Sequence, residues 1–281
     1  MSNNIAIIFD FDDTLAPDST TGYLRSQGVD MHKFWKEDVQ QLIDQDWDPI
    51  PAYLHRMIEL SKNGDIPPIT AESMKAWAKS ITYYPGVLEI FDRLRNYAKK
   101  NYPLLNLEFY LISSGVGSIL RETSIAHHFQ DIWSCDFAFD ANGGISFPKR
   151  IVSFTDKTRY IFHIAKGIFG ERSRGRPFDV NRKIDSHDLR IPSNQMIFVG
   201  DGYTDIPCFA LIRKGGGIAI GVYDTNNMDK WGRAWGFIEQ QRVSNLVPAD
   251  YSDRSALSNS LIMAVESMAR RIELNQIAYQ S

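Results

Sequence analysis

An α/β fold, a Rossmann-like parallel sheet flanked by helices, is what this 281-residue sequence predicts. The runs 5–9, 107–112, 196–199 and 217–220 are apolar, apart from Glu108 in the second, rather than alternating. Continuous apolarity suits strands buried on both faces, as in a parallel sheet. Apolar residues at helical spacing fall between them: Val87, Phe91, Leu94 and Ala98, then Tyr160, Ile161, Ile164 and Ile168. Strands alternating with helices point to α/β topology. Acidic residues follow two of the apolar runs directly, at Asp10 and at Asp201. In open parallel sheets, ligands bind outside the carboxyl ends of the strands.

The first strand is 5–9. Residues 16–84 then interrupt the pattern and are too many for a plain loop. Met31, Phe34, Trp35, Val39, Leu42 and Ile43 recur at helical spacing, as do Tyr53, Leu54, Met57 and Ile58 behind Pro51, which suits a first helical position. Thr70 is placed to cap a third helix carrying Met74, Trp77 and Ile81. The expected organisation is an α/β core of residues 1–15 and 85–281, with an inserted helical subdomain at 16–84. A second interruption, 170–192, mixes Arg174, Arg176, Arg182, Lys183 and Arg190 with Glu171, Asp179, Asp185 and Asp188. It reads as a solvated surface loop, or else as a contact for a partner or a polyphosphate. The apolar positions Leu257, Leu261, Val265, Met268 and Ile272 predict a last helix packed on the sheet.

Composition supports a globular chain: hydrophobic residues make up 43% and charged residues 23%, with a net charge of −3. That balance disfavours a generally basic nucleic-acid binder. Cys135 and Cys208 are far apart and read as small reduced core residues rather than a disulfide framework. No run reaches the ~18 apolar residues of a membrane span. The first apolar run stops at Asp10, too early for a signal peptide. A cytoplasmic protein without membrane or nucleic-acid partners is expected.

Asp10, Asp12 and Asp13 place three carboxylates within four positions behind a buried strand. Such a cluster needs a cation or a raised pKa to be tolerated. A calcium loop would need Gly sixth and Glu twelfth; Leu15 and Thr21 stand there. Gly200, Asp201, Gly202 and Asp205 form a second acidic group at another strand end. Oxygen ligands from Asp10 and Asp201 suit Mg2+, and Mg2+ favours a phosphate substrate. Ser113, Ser114 and Gly115 follow the second strand, where a hydroxyl and backbone N–H groups can hold phosphoryl oxygens or cap a helix. Lys157 falls early in a helix, opposing the helix dipole unless anions compensate.

This constellation resembles the haloacid-dehalogenase-like (HAD) hydrolase superfamily, in its phosphoserine-phosphatase-like branch with a C1 helical cap. The four motifs stand in order as Asp10, Asp12 and Thr14; Ser113; Lys157; and Gly200 to Asp205. The resemblance implies an Mg2+-dependent phosphatase acting on a small-molecule phosphate ester. Asp10 would be the nucleophile and Asp12 the general acid and base. Ser113 and Lys157 would neutralise the phosphoryl group, with Thr14, Ser114, Gly115 and Arg56 binding substrate. Asp10, Asp12, Asp201 and Asp205 would form the metal site, Asp12 through its main-chain carbonyl. Lys149 and Lys166 are alternatives to Lys157. Ser19 stands where phosphoserine phosphatases carry a cap Glu that reads the substrate amine, which argues against phosphoserine. A phosphotransferase or phosphomutase of the same fold, and a non-catalytic phosphate-binding module, are the rival readings.

Overall fold

The computed structural model describes residues 2–226 and 235–278. Seven strands form one sheet: β1 (Asn4–Phe9), β2 (Asn106–Val116), β3 (Phe129–Phe139), β4 (Ile145–Arg150), β5 (Met196–Gly200), β6 (Ile218–Tyr223) and β7 (Asn245–Pro248). Their order is β4-β3-β2-β1-β5-β6-β7, with only β4 antiparallel to its neighbour. The chain winds outward from β1 through β2 and β3, then returns to the other side of β1 with β5. The carboxyl end of β1 is therefore the topological switch point, where an open α/β sheet leaves a crevice.

β1 lies between β2 and β5, which pair its two edges, and helices cover both its faces. Ile5, Ile7 and Phe9 face one core and Ala6 and Ile8 the other. The first core is closed by Val87–Asn101 and Ala256–Ala278, the helices predicted from their apolar stripes. Phe91 packs edge-on to both Phe9 and Phe109. Burying each such side chain contributes about 1.5–3 kcal/mol. Phe154–Lys166 and Ile206–Lys214 cover the opposite face through Ile161, Ile164, Phe209 and Ile212. Cys135 and Cys208 are buried free thiols, as the sequence suggests.

Between β1 and Val87–Asn101 the chain forms helices Ser19–Ser26, Pro49–Asn63 and Ala71–Ala78. The stretch from Met31 to Ile43 is helical too, and its middle, Phe34–Val39, is a π-helix. Local chemistry sets the starts. Asp18 accepts from Thr21 N at 2.7 Å, and Thr70 and Ser73 form a reciprocal capping box. Pro49, rather than Pro51, opens its helix. Phe34, Leu54, Met57 and Met74 give this segment its own buried apolar side.

Three strands lacked a sequence signal. β3 and β4 carry polar and charged residues along their length, and β7 is only four residues long. β2 continues to Val116, so Ser113 lies within an extended segment and does not cap a helix. Ile168 falls beyond the helix end, where Gly167 takes a φ of 69° and stops it. Segment 170–192 is a chain of short 3-10 turns, tied down where Lys166 Nζ donates to Val180 O and Arg182 O. Among the described residues, no helix is long and apolar enough to cross a membrane.

Candidate active site

Asp10 is the first residue after β1. Its N–H donates to Val199 O at 2.9 Å, which pins it at the switch point between β1 and β5. Its Oδ1 accepts from Phe11 N at 2.7 Å, and its Oδ2 lies 2.9 Å from Lys157 Nζ. The same ammonium stands 2.7 Å from Asp205 Oδ1, and neither Lys157 nor Asp205 has any solvent exposure. Burial works against the charge on Lys157. Asp10 and Asp205 outweigh it and hold the ammonium above the ordinary lysine range. Burial pushes the Asp205 carboxyl up to about 6, with Lys157 pulling the other way.

Ser153 and Asp156 make this possible. They form a capping box at the start of Phe154–Lys166, which fixes the first turn and aims Lys157 into the sheet end. The two alternative lysines lie elsewhere: Lys166 binds loop carbonyls, and Lys149 lines a different cavity.

Asp12 has another environment. Its Oδ1 accepts from Ser19 N at 2.7 Å. Burial, then the charge of Asp18, raises its carboxyl well above the usual range, while the Ser19 contact works against the rise. Two carboxylates two residues apart are thus treated differently, Asp10 facing an ammonium and Asp12 being pushed toward its protonated form. The turn that separates them closes tightly. Asp13 takes a φ of 57°, and the N–H groups of Thr14, Leu15 and Ala16 all converge on Phe11 O.

Thr14 sits behind this turn rather than in front of it. It is fully buried, with its Oγ1 3.5 Å from Asp201 Oδ1 and its carbonyl accepting from Tyr251 OH at 3.0 Å. It is not among the residues that line the cavity, and its contacts brace the turn from behind.

Ser113 Oγ accepts from Gly115 N at 3.1 Å, which leaves its own proton to donate elsewhere. Ser114 presents a buried hydroxyl with no hydrogen-bond partner, and its carbonyl accepts from Tyr53 OH at 2.5 Å. Gly115 permits the close approach, because a Cβ there would lie 2.5 Å from Asp12 Oδ2. At the other strand end, a Cβ on Gly200 would run into the Asp205 carboxylate. Oxygens of Asp10, Asp201 and Asp205 lie within 4.8 Å of one another. This all-oxygen donor set fits a hard divalent cation such as Mg2+.

These groups open into a cavity of about 410 Å³. Asp10, Asp12, Ser113, Ser114, Gly115 and Asp201 form one side. Trp35, Val39, Ile43, Ile50 and Tyr53 come from the inserted helices, joined by Phe154 and Tyr203. Among the described residues no Lys, Arg or His lines it. Arg56 is placed away from it. Its guanidinium is held by Asp38 O, Gln41 and Glu59, and it is not among the residues that line the cavity. Arg25, His32 and Lys33 are exposed. Trp35 and Tyr53 read as core residues in the sequence because their spacing is that of an apolar stripe. The π-helix that shifts the register of Phe34–Val39 has no sequence signature.

The architecture matches known structures along most of its length. A HAD family hydrolase from Salmonella enterica subsp. enterica serovar Typhi superposes with a TM-score of 0.60 at 14% identity, over 94% of this chain and 71% of that one. The fold is that of the HAD hydrolases. Phosphoserine phosphatase in its apo form gives a TM-score of 0.56 at 16% identity, over 89% of this chain and 96% of that one. A phospho-aspartyl intermediate analogue of phosphoserine phosphatase gives 0.54 at 16% identity, over 92% and 97%. An uncharacterized protein of Borreliella burgdorferi is 24% identical over 92% of this chain and 95% of its own length. No family model matches the chain. Within the HAD-like fold, Asp10 and Asp201 directly follow β1 and β5, and Ser113 lies in the carboxyl-terminal half of β2.

Proposed function

We propose that the chain is an Mg2+-dependent phosphomonoesterase that works through an aspartyl-phosphate on Asp10. The observation that supports it most is the buried Lys157 held between Asp10 and Asp205, beside an Asp12 carboxyl pushed toward its protonated form. A nucleophilic carboxylate and a neighbouring acid need opposite environments, and these two have them.

In this reading the Asp10 carboxylate attacks phosphorus and the ester P–O bond breaks. The departing alkoxide takes the proton of Asp12. Asp12, now a carboxylate, removes a proton from water as that water attacks the aspartyl-phosphate. Inorganic phosphate leaves and Asp10 is restored. Ser113 Oγ and Lys157 balance charge on the phosphoryl oxygens, and the partnerless hydroxyl of Ser114 is a further donor. Asp10, Asp201 and the Asp12 main-chain carbonyl would hold the Mg2+, with Asp205 behind them gripping Lys157. When bound, the ion supplies further neutralisation of the phosphoryl charge. Residues 16–84 would act as a cap that excludes water from this chemistry.

The cavity lining also bears on substrate. An anionic leaving group would meet Asp12, Asp13 and Asp18 and no lining cation. Apolar or aromatic alcohols suit Trp35, Val39, Ile43, Ile50 and Tyr203 better. A small phosphate ester with an uncharged apolar leaving group is therefore the substrate class proposed, in keeping with Ser19 at the position of the family's amine-reading Glu.

Acid quenching during turnover of p-nitrophenyl phosphate tests the mechanism. A hydroxylamine-labile phosphoryl group on the peptide containing Asp10 is the expected product. Steady turnover with no covalent phosphoryl group at any stage, even when hydrolysis of the intermediate is slowed by Asp12→Asn, would mean that water attacks the ester directly.

A further inference from the structure

A second cavity, of about 490 Å³, shares no lining residue with the first. Segment 170–192, whose mixed charges suit a solvated loop or else a partner or polyphosphate contact, closes one side of it through Gly170, Arg174 and Arg176. β3, β4 and Phe154–Lys166 form the rest. Six cationic side chains line it: Arg121, Lys149, Arg150, Arg159, Arg174 and Arg176. Among the described residues two carboxylates, Asp131 and Asp136, accompany them.

Those carboxylates are already committed. Asp136 is shared between Arg121 and Arg150. Asp131 accepts from the backbone N–H groups of Ile132 and Gly170, both at 2.8 Å. Glu171 and Asp179 reach Arg174 and Arg176 only at 3.7 and 4.0 Å, from exposed positions. Lys149 makes no hydrogen bond or ion pair among the described residues. Even with those two outer acids counted, positive charge exceeds negative around a concave space, which Arg174 and Arg176 line from exposed positions.

The floor is preorganised as well. The Trp133 and Tyr160 rings stack at 5.1 Å and 18°. The Arg159 guanidinium lies 4.8 Å from the Tyr160 ring centroid and donates to Tyr160 OH at 2.7 Å. A fixed guanidinium loses less freedom on meeting a phosphate than a mobile one, and its fork matches phosphate oxygens. The lining residues alone leave an excess of four positive charges, six against two, of which a single carboxylate or monophosphate would match at most about half.

We propose that this cavity binds a small polyphosphorylated anion, either a free oligophosphate or the phosphate chain of a nucleotide. The site is separate from the reaction centre. Phe154–Lys166 lies between the two, presenting Lys157 to one and Arg159, Tyr160 and His163 to the other. This proposal does not depend on the phosphatase reading, because no residue is common to the two cavities.

Isothermal titration of the full-length chain with tripolyphosphate, and separately with ATP, tests it. Titrations run in low and moderate salt without divalent cations. Saturable binding that persists in Asp10→Asn, weakens at least tenfold in Arg159→Ala and Lys149→Ala, and declines with salt is the expected result. Lys149 has no contact to lose, so Lys149→Ala keeps the test sound if Arg159→Ala folds poorly. Both variants should turn over p-nitrophenyl phosphate as the unsubstituted chain does, if it does. ATP binding tighter than tripolyphosphate identifies a nucleotide, with the aromatic floor taking part; equal affinities identify the phosphate chain alone. Absence of saturable binding at millimolar ligand overturns the proposal. So does binding that Asp10→Asn abolishes, or that Lys149→Ala and Arg159→Ala leave intact.

Discussion

Lys157 Nζ lies 2.9 Å from Asp10 Oδ2, on a side chain with no solvent exposure, and it reaches Asp205 at 2.7 Å with the same ammonium. One cation therefore makes two buried carboxylates tolerable at the end of β1. Removing it leaves them facing each other without compensation, a loss of about 3–5 kcal/mol by the usual cost of breaking a buried pair. Lys157→Met should lower the urea midpoint at pH 7 by that equivalent. Much of the loss should be recovered near pH 5, because without Lys157, which pulls it down, the Asp205 carboxyl rises further and takes a proton. A Lys157→Met protein as stable as the parent at pH 7 would show that the pair carries no weight.

In the mechanism proposed, Asp12 would set the alkaline limb of activity. Its carboxyl is raised by burial and then by Asp18, and the free enzyme needs it protonated to assist the leaving group. As pH rises through the raised pKa, the proton is lost, so kcat/KM for an alkyl phosphate should fall on the alkaline side. Asp12→Asn should remove that limb and cost about 10²–10⁴ in kcat. With p-nitrophenyl phosphate, whose leaving group needs little protonation, the covalent intermediate should accumulate in the same variant.

Gly115→Ala separates geometry from folding. The new methyl group would meet Asp12 Oδ2 at 2.5 Å and Ser113 Oγ at 3.3 Å, and Asp12 is held in place by Ser19 N. A displacement of about 1 Å at a reacting group costs about a hundredfold. The variant should keep its circular dichroism and thermal midpoint while losing about that factor in kcat. Unchanged kcat would place Asp12 outside the reaction.

Much of this site was legible because its residues are tied to strand ends. Asp10 and Asp201 follow continuous apolar runs, and a buried strand announces where its carboxyl end opens. Lys157 was legible because a lysine in a first helical turn asks for anions. The cavity walls were not legible in the same way. Trp35 and Tyr53 share the spacing of core residues, and only the fold shows that they face the cavity. Arg56 stands apart from the cavity for the converse reason: its charge suits a phosphate, but Glu59 one turn along the helix and the Asp38 carbonyl hold it. The strands β3 and β4 were hidden by their polar residues, and the cations they carry are visible as a cluster only after segment 170–192 folds back.

Stability should also decline in mild acid. Burial, aided by His127 and Arg95, holds the His128 imidazole below its ordinary pKa, and Arg95 Nη1 stands 2.8 Å from its Nδ1. Arg95 can only donate, so that nitrogen must accept and the ring must be neutral. Below a pH of about 6.5 the unfolded chain binds a proton that the folded chain refuses, and folding loses stability until the depressed folded pKa is reached. His128→Gln keeps an acceptor for Arg95 and does not titrate. The decline of thermal midpoint between pH 7.5 and 5.5 should be shallower in that variant.

Substrate preference follows from the cavity wall. Phenyl phosphate should exceed phosphoserine by at least about tenfold in kcat/KM, because a carboxylate in the cavity would be buried among Asp12, Asp13 and Asp18 without a lining cation. Equal rates would mean that a cation outside the described lining reaches the leaving group.

Phosphate release from p-nitrophenyl phosphate, measured with Mg2+ and with EDTA in the parent chain and in Asp10→Asn, tests the central claim most directly. The account predicts turnover that requires Mg2+ and disappears in a folded Asp10→Asn protein. Turnover that survives in Asp10→Asn, or that is indifferent to EDTA, would contradict it.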